Sequence, residues 1–172
     1  MRFDVIIIGG GWAGCTAAEK LVEAGRKVCV VSEGLSLASA EYDRPYARLA
    51  ALQQKGATVL RGDRAMSGTI NGERVVEIRT RNLDEPLVAD EYILATGKFF
   101  SRGLFSDREH VWEPVFGADV DYDPDRTKWY DPDFDAPQPF MKFGVKTDAE
   151  GRVLVGGHAV VNLRAVGDIC ND

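Results

Sequence analysis

Gly9, Gly11 and Gly14 form Gly-x-Gly-x-x-Gly immediately after the apolar residues 5–8. Glycines at that spacing, after a strand and at the start of a helix, suit a phosphate. Gly9 permits a tight turn. Gly11 leaves room for a pyrophosphate to approach the backbone, and Gly14 lets the helix pack closely on the sheet. Trp12 and Ala13 belong to the same turn, where free N–H groups and the positive end of the helix dipole face the anion. The residue expected to hold an adenosine ribose ends the next strand. That place is taken by Ser32, with Glu33 one residue later. A serine hydroxyl is a weaker acceptor than a carboxylate, so either Glu33 takes over through a bent strand end or Ser32 alone gives weak ribose recognition.

Other residue types offer less. His110 and His158 could exchange protons, but each reads better as a surface histidine. Cys15 lies in the first turn of the glycine-led helix, where a thiolate is favoured. Its neighbours Ala17 and Ala18 favour a small buried filler instead. Seven aspartates from Asp119 to Asp135 suggest a calcium loop, but positions six and twelve of an EF-hand would be Pro124 and Tyr130 rather than Gly and Glu. A solvated acidic loop is expected there. No hydrolytic Ser/His/Asp set, paired carboxylates or metal-ligand cluster stands out.

The elements that must position these residues follow from pattern. Residues 3–8 and 27–32 read as buried strands around a helix at 12–24 that stops at Gly25, a βαβ unit. A small-residue polar stretch occupies 33–43. A second helix is expected over 45–56 and a strand over 57–62. Asn71-Gly72 predicts the turn of an antiparallel β-ribbon over about 64–90, inserted in the main sheet. Residues 91–97 return as a core strand, 99–143 are irregular and rich in Pro and Asp, and 143–148, 152–155 and 163–168 supply the last strands. This alternation predicts an α/β fold, Rossmann-like, with a mostly parallel sheet, in one dinucleotide-binding domain over 1–172.

Size and composition agree. The 172 residues are 45% hydrophobic with a formal net charge of -6. No Lys/Arg cluster points to nucleic acid, and no apolar run is long enough to insert in a membrane. Three dispersed cysteines and the absence of a signal-peptide pattern fit a reducing, cytoplasmic setting.

Two further stretches narrow the ligand. Ala95-Thr96-Gly97 resembles the ATG stretch of flavoproteins with two dinucleotide domains. Gly167-Asp168 resembles the end of their late strand, whose Asp accepts hydrogen bonds from the ribityl chain of the flavin. The ordered set implies FAD, with FMN as the alternative. Phe99 or Phe100 would then either reach the isoalloxazine or pack in the core. The segments "ILATGKFFSRGLFSD", "EPVFG" and "WYDPDFDAPQPFMKFGVKTD" further resemble the B-subunit family of anaerobic glycerol-3-phosphate dehydrogenase, as do the N-terminal "RFDVIIIGGGWAG" and "VVSEGLS". That resemblance implies a flavin-binding oxidoreductase subunit that works beside a catalytic dehydrogenase subunit and an iron–sulfur subunit; a homo-oligomer is the alternative to such partners. Members of that family are much longer. Relative to them, a middle region between about Gly34 and Ala57 is missing, as is a last helix over the flavin, which implies a ring open to solvent. A second reading is a non-catalytic assembly module with weak or no cofactor. A third is an NAD(P)-binding protein.

Overall fold

The computed structural model describes residues 1–34 and 43–171, with side chains of the second span from residue 47. The chain runs β1 (Arg2–Ile8), α1 (Trp12–Glu23), β2 (Val28–Ser32), α2 (Asp43–Gln54), β3 (Thr58–Arg61), β4 (Ala65–Asn71), β5 (Arg74–Thr80) and β6 (Val88–Leu94). Short strands β7 (Phe105–Ser106), β8 (Val111–Trp112), β9 (Val120–Asp121) and β10 (Gly144–Val145) follow. The chain then forms β11 (Arg152–Val155) and β12 (His158–Ala165) and closes on a 3-10 turn, Gly167–Ile169. The main sheet has the order β11-β12-β6-β1-β2-β3. Its five strands from β12 to β3 are parallel, and β11 is antiparallel at one edge.

From Val5 to Ile8 β1 is buried on both faces, which is why this stretch reads as an unbroken apolar run. Val5 and Ile7 face α1 and α2, where they meet Cys15, Ala18, Leu49 and Leu52. Ile6 and Ile8 face the other way, into a larger core that includes Val75, Ile78, Leu104 and Phe116. α1 ends as expected before Gly25, with the Arg26 amide donating back to the Leu21 carbonyl at 3.0 Å.

Several expectations need correction. The ribbon spans 65–80 rather than 64–90, and β4 and β5 form their own two-stranded sheet instead of joining the main one. Residues 88–90 already belong to core strand β6, which stops at Leu94, so Ala95, Thr96 and Gly97 lie in the turn beyond it. Backbone bonds tie the ribbon on, among them the Val161 amide of β12 donating to the Glu73 carbonyl at 2.8 Å, and a buried side chain adds to them. Asn162 of β12 accepts from the Val75 amide at 2.8 Å and donates to the Val75 and Asp90 carbonyls at 2.9 and 3.1 Å. A flat amide can imitate a strand neighbour in this way, where two separate sheets meet.

α2 begins and ends two residues earlier than expected. Of residues 143–148 only β10 is strand, and it pairs with β9 rather than the main sheet. β12 begins five residues earlier than expected and ends before Gly167-Asp168, which lie in the 3-10 turn. The segment 99–143 holds three short strands and two 3-10 turns. Its acidic loop is mostly exposed, but Asp119 is a structural acceptor. Its carboxylate takes the amides of Gly156 and Gly157 at 3.0 and 2.7 Å. The polar stretch at 33–43 lies outside the described residues from 35 to 42.

Candidate functional site

A cleft of about 420 Å³ opens where β1, β2, β6 and β12 end. Open α/β sheets place ligands at this edge, because loops diverge there and a helix N-terminus points in.

The glycine turn forms its floor. Gly9 has φ +113, and a Cβ there would lie 2.1 Å from the Ala95 carbonyl oxygen. The turn after β1 is therefore packed backbone to backbone against the turn after β6. Gly11 is different. It caps α1 in an ordinary extended conformation, and a Cβ on it would meet nothing within 4 Å among the described residues. Among the described residues no side chain caps this helix end, and its first turn holds no acidic residue. The open space and the uncapped amides fit an anion. Gly11, Trp12 and Ala13 line the cleft beside Gly9. Gly14 does not. A Cβ there would sit 1.9 Å from the Gly9 carbonyl oxygen, so its part is to let α1 close on β1. Gly10, which the pattern leaves unassigned, has a similar duty toward Ser32, whose Oγ would lie 2.5 Å from a Cβ on Gly10.

Ser32 and Glu33 form one end of the cleft. Ser32 is buried, whereas the Glu33 carboxylate meets three guanidinium groups. Its Oε1 accepts from Arg102 Nη1 at 3.2 Å and lies 3.7 Å from Arg81 Nη1, while Oε2 lies 3.9 Å from Arg64 Nε. Ala95, Thr96 and Gly97 form a wall, and Thr96 Oγ1 is buried without a hydrogen-bond partner among the described residues. Gly167 and Asp168 stand at the far side, held against α1 so closely that a Cβ on Gly167 would reach within 2.5 Å of Ala13 Cβ. Eleven of the twelve expected site residues thus border one space, and the twelfth, Gly14, supports it.

Sequence reasoning missed the opposite wall, made by Asp63, Arg64, Glu113, Pro114 and Val115. Glu113 is almost wholly buried. Its two oxygens accept the amides of Val115 and Phe116, each at 2.7 Å, which fixes a tight turn. Burial pushes its carboxyl above the ordinary range, and these backbone hydrogen bonds pull it back only in part. The turn is locked to the ribbon by the Gly68 amide, which donates to the Val115 carbonyl at 2.7 Å.

The remaining reactive types stay outside. Cys15 is buried, its Sγ lies 3.4 Å from the Gly10 carbonyl, and burial raises its pKa, so it is a filler. Burial raises the Cys29 thiol to about 12. His110 and His158 are exposed. Phe99 packs edge-on against Phe140 in the larger core, Phe100 is exposed, and neither lines the cleft.

The chain is similar to several known proteins. The sequence pattern of the family described as "FAD binding domain" matches residues 4–41 and 41–171. The B subunit of the anaerobic glycerol-3-phosphate dehydrogenase of Actinobacillus succinogenes is 42% identical over 123 residues, which cover 68% of this chain and 29% of that protein. The protein of the same name from Yersinia enterocolitica is 41% identical over 118 residues, covering 68% of this chain and 28% of its own length. The chain therefore spans under a third of these relatives. Among solved structures, thioredoxin reductase from Giardia duodenalis matches with a TM-score of 0.47 at 25% identity, over 56% of this chain and 36% of that one.

Proposed function

The chain belongs to the FAD binding domain family, and on that premise we propose that the cleft seats FAD for an oxidoreductase of which this chain is the cofactor-binding part. The observation that carries the reading is the uncapped start of α1 beside the open space at Gly11, at the edge of the sheet where β1 and β6 are pressed together. The amides of the first turn of α1 hold the pyrophosphate, and the dipole of α1 favours its negative charge. Ser32 and Glu33 hold the adenosine ribose. The turn at 95–97 borders the flavin, and the Asp168 carboxylate accepts from the ribityl hydroxyls. Bound FAD supplies hydride and electron transfer. The chain supplies placement, exclusion of water from the turn at 95–97, and the local field.

The relatives' shared name describes one subunit of a larger enzyme, and the same assignment suits this chain: a flavin-carrying subunit that passes electrons to or from partner subunits. Among the described residues, no helix is long and apolar enough to cross a membrane. The test is a titration of the purified chain with FAD, followed by flavin absorbance and fluorescence. Saturation near one flavin per chain is expected. A folded chain that leaves FAD free in solution at millimolar concentration overturns the reading and leaves an assembly module.

A further inference from the structure

Arg64, Arg81 and Arg102 reach Glu33 from three separate places: the loop before β4, the end of the ribbon after β5, and the loop beyond the turn at 95–97. Two of the three are fixed by other contacts. The Arg81 Nη2 donates to the Gly62 carbonyl at 2.7 Å, and the Arg64 guanidinium lies 5.3 Å over the Phe105 ring. Arg102 differs. Its side chain donates to Glu33, and its backbone has φ +63, the one positive value outside glycine among the described residues.

The 97–103 loop explains that backbone. It folds so tightly that a Cβ on Gly103 would lie 1.8 Å from the Gly97 carbonyl oxygen, and the Gly103 amide donates to the Lys98 carbonyl at 2.9 Å. A glycine at 102 would adopt this conformation freely, whereas an L side chain is strained there. Strain of this kind is characteristic of functional sites, and here the side chain that bears it ends on the acidic group at the nucleotide cleft. Glu33 needs such a partner. It stands one residue beyond the place where the dinucleotide pattern expects a ribose acceptor. An unrestrained glutamate would spread over many rotamers. Guanidinium groups on both of its oxygens hold it aimed.

We propose that Arg102 is a positioning residue for adenosine recognition: it aims the Glu33 carboxylate at the ribose hydroxyls of the ADP half, and so sets the preference of the cleft for FAD over FMN. This rests on the FAD reading of the cleft. Arg64 and Arg81 form the fixed side of the clamp, and Arg102 is the side contributed by the loop.

The test replaces the side chain and keeps the backbone conformation. Arg102→Gly and Arg102→Asn, both tolerant of positive φ, are compared with the unmodified chain by thermal melting and by titration with ADP, FAD and FMN. Both variants should melt at the same temperature as the unmodified chain or higher. Their ADP and FAD dissociation constants should rise about tenfold, with FMN unchanged. Glu33→Gln should give the same nucleotide loss, and Arg102→Gly added to it should weaken ADP no further. Unchanged ADP affinity in the Arg102 variants overturns the proposal. So do equal losses for FMN and FAD, a lower melting temperature, or fully additive losses in the double variant. Failure of the unmodified chain to bind FAD strikes the underlying reading, and this proposal with it. Tight FAD binding that ignores Arg102 strikes the clamp alone.

Discussion

Substituting the glycines one at a time separates what the phosphate turn does for the fold from what it does for the ligand. A Cβ on Gly11 meets open space, and its extended backbone is available to any residue. Gly11→Val should therefore leave the fold in place. The loss is that of a mediocre N-cap replaced by a poor one, about 0.5–1 kcal/mol, out of about 5–15 kcal/mol for an ordinary domain. The valine side chain would occupy the space assigned to the pyrophosphate, so FAD affinity should fall at least about a hundredfold, or about 2.7 kcal/mol. Gly14→Ala should show the opposite pattern. Its Cβ would stand 1.9 Å from the Gly9 carbonyl oxygen, a contact with backbone that can yield only by moving α1 off β1. About 3 kcal/mol of stability should go, in the upper range for overpacking. Urea unfolding followed by circular dichroism gives the stabilities, and FAD fluorescence quenching gives the affinities. A folded Gly11→Val chain that binds FAD within about threefold of the original would refute the assignment of the turn. A Gly11→Val chain as unstable as Gly14→Ala would show that the space at Gly11 is needed by the fold instead.

Asn162→Ala should cost about 3 kcal/mol in urea unfolding, because it strands the Val75 amide and carbonyl between ribbon and sheet; a loss under about 0.5 kcal/mol would mean that the ribbon holds without it. Glu113 should make stability fall as pH rises. Its folded-state pKa is raised by burial, so the folded chain holds a proton that the unfolded chain releases, and the contribution is complete below the ordinary glutamate value and lost as pH climbs to the folded one. The advantage of the unmodified chain over Glu113→Gln in urea titrations should therefore shrink from about pH 4 upward. Asp107, Asp125 and Asp148, whose pKa values are lowered, act in the opposite direction but cancel in this difference. A constant difference across that range would place the Glu113 carboxyl in an ordinary environment.

The first βαβ unit is legible in the sequence because its physics is local. A strand buried on both faces must be apolar throughout, and the glycines after β1 mark a turn that only a close approach of backbone explains. Errors gather where a strand carries charge. Residues 88–90 read as ribbon because Asp90 interrupts the apolar pattern of β6, yet Asp90 faces solvent and pairs with Arg2, while Ala89 and Tyr92 are buried. The start of β12 does leave a signal in the sequence. Gly156-Gly157 separates Val155 from His158, both glycines have positive φ, and two such residues between strands make the tight turn of a hairpin.

The two ends of the cleft differ in a way that decides how visible they are. The phosphate end is made of main chain, and main-chain sites leave a trace in sequence as missing side chains at fixed spacing. The Glu33 end is made of side chains from positions 33, 64, 81 and 102, brought together only when the ribbon and the 97–103 loop fold onto the end of β2. Each of these arginines, taken alone, is indistinguishable from a solvated surface residue. Glu113 is hidden for the same reason in reverse: a buried carboxyl satisfied by amides of its own turn needs no cationic partner elsewhere in the chain. A main-chain site tolerates changes at most neighbouring side chains and fails at its glycines. A side-chain site of four charges can be retuned one residue at a time. Differences in nucleotide preference between chains of this fold should therefore arise at the Glu33 end, while the glycine turn sets whether a nucleotide binds at all.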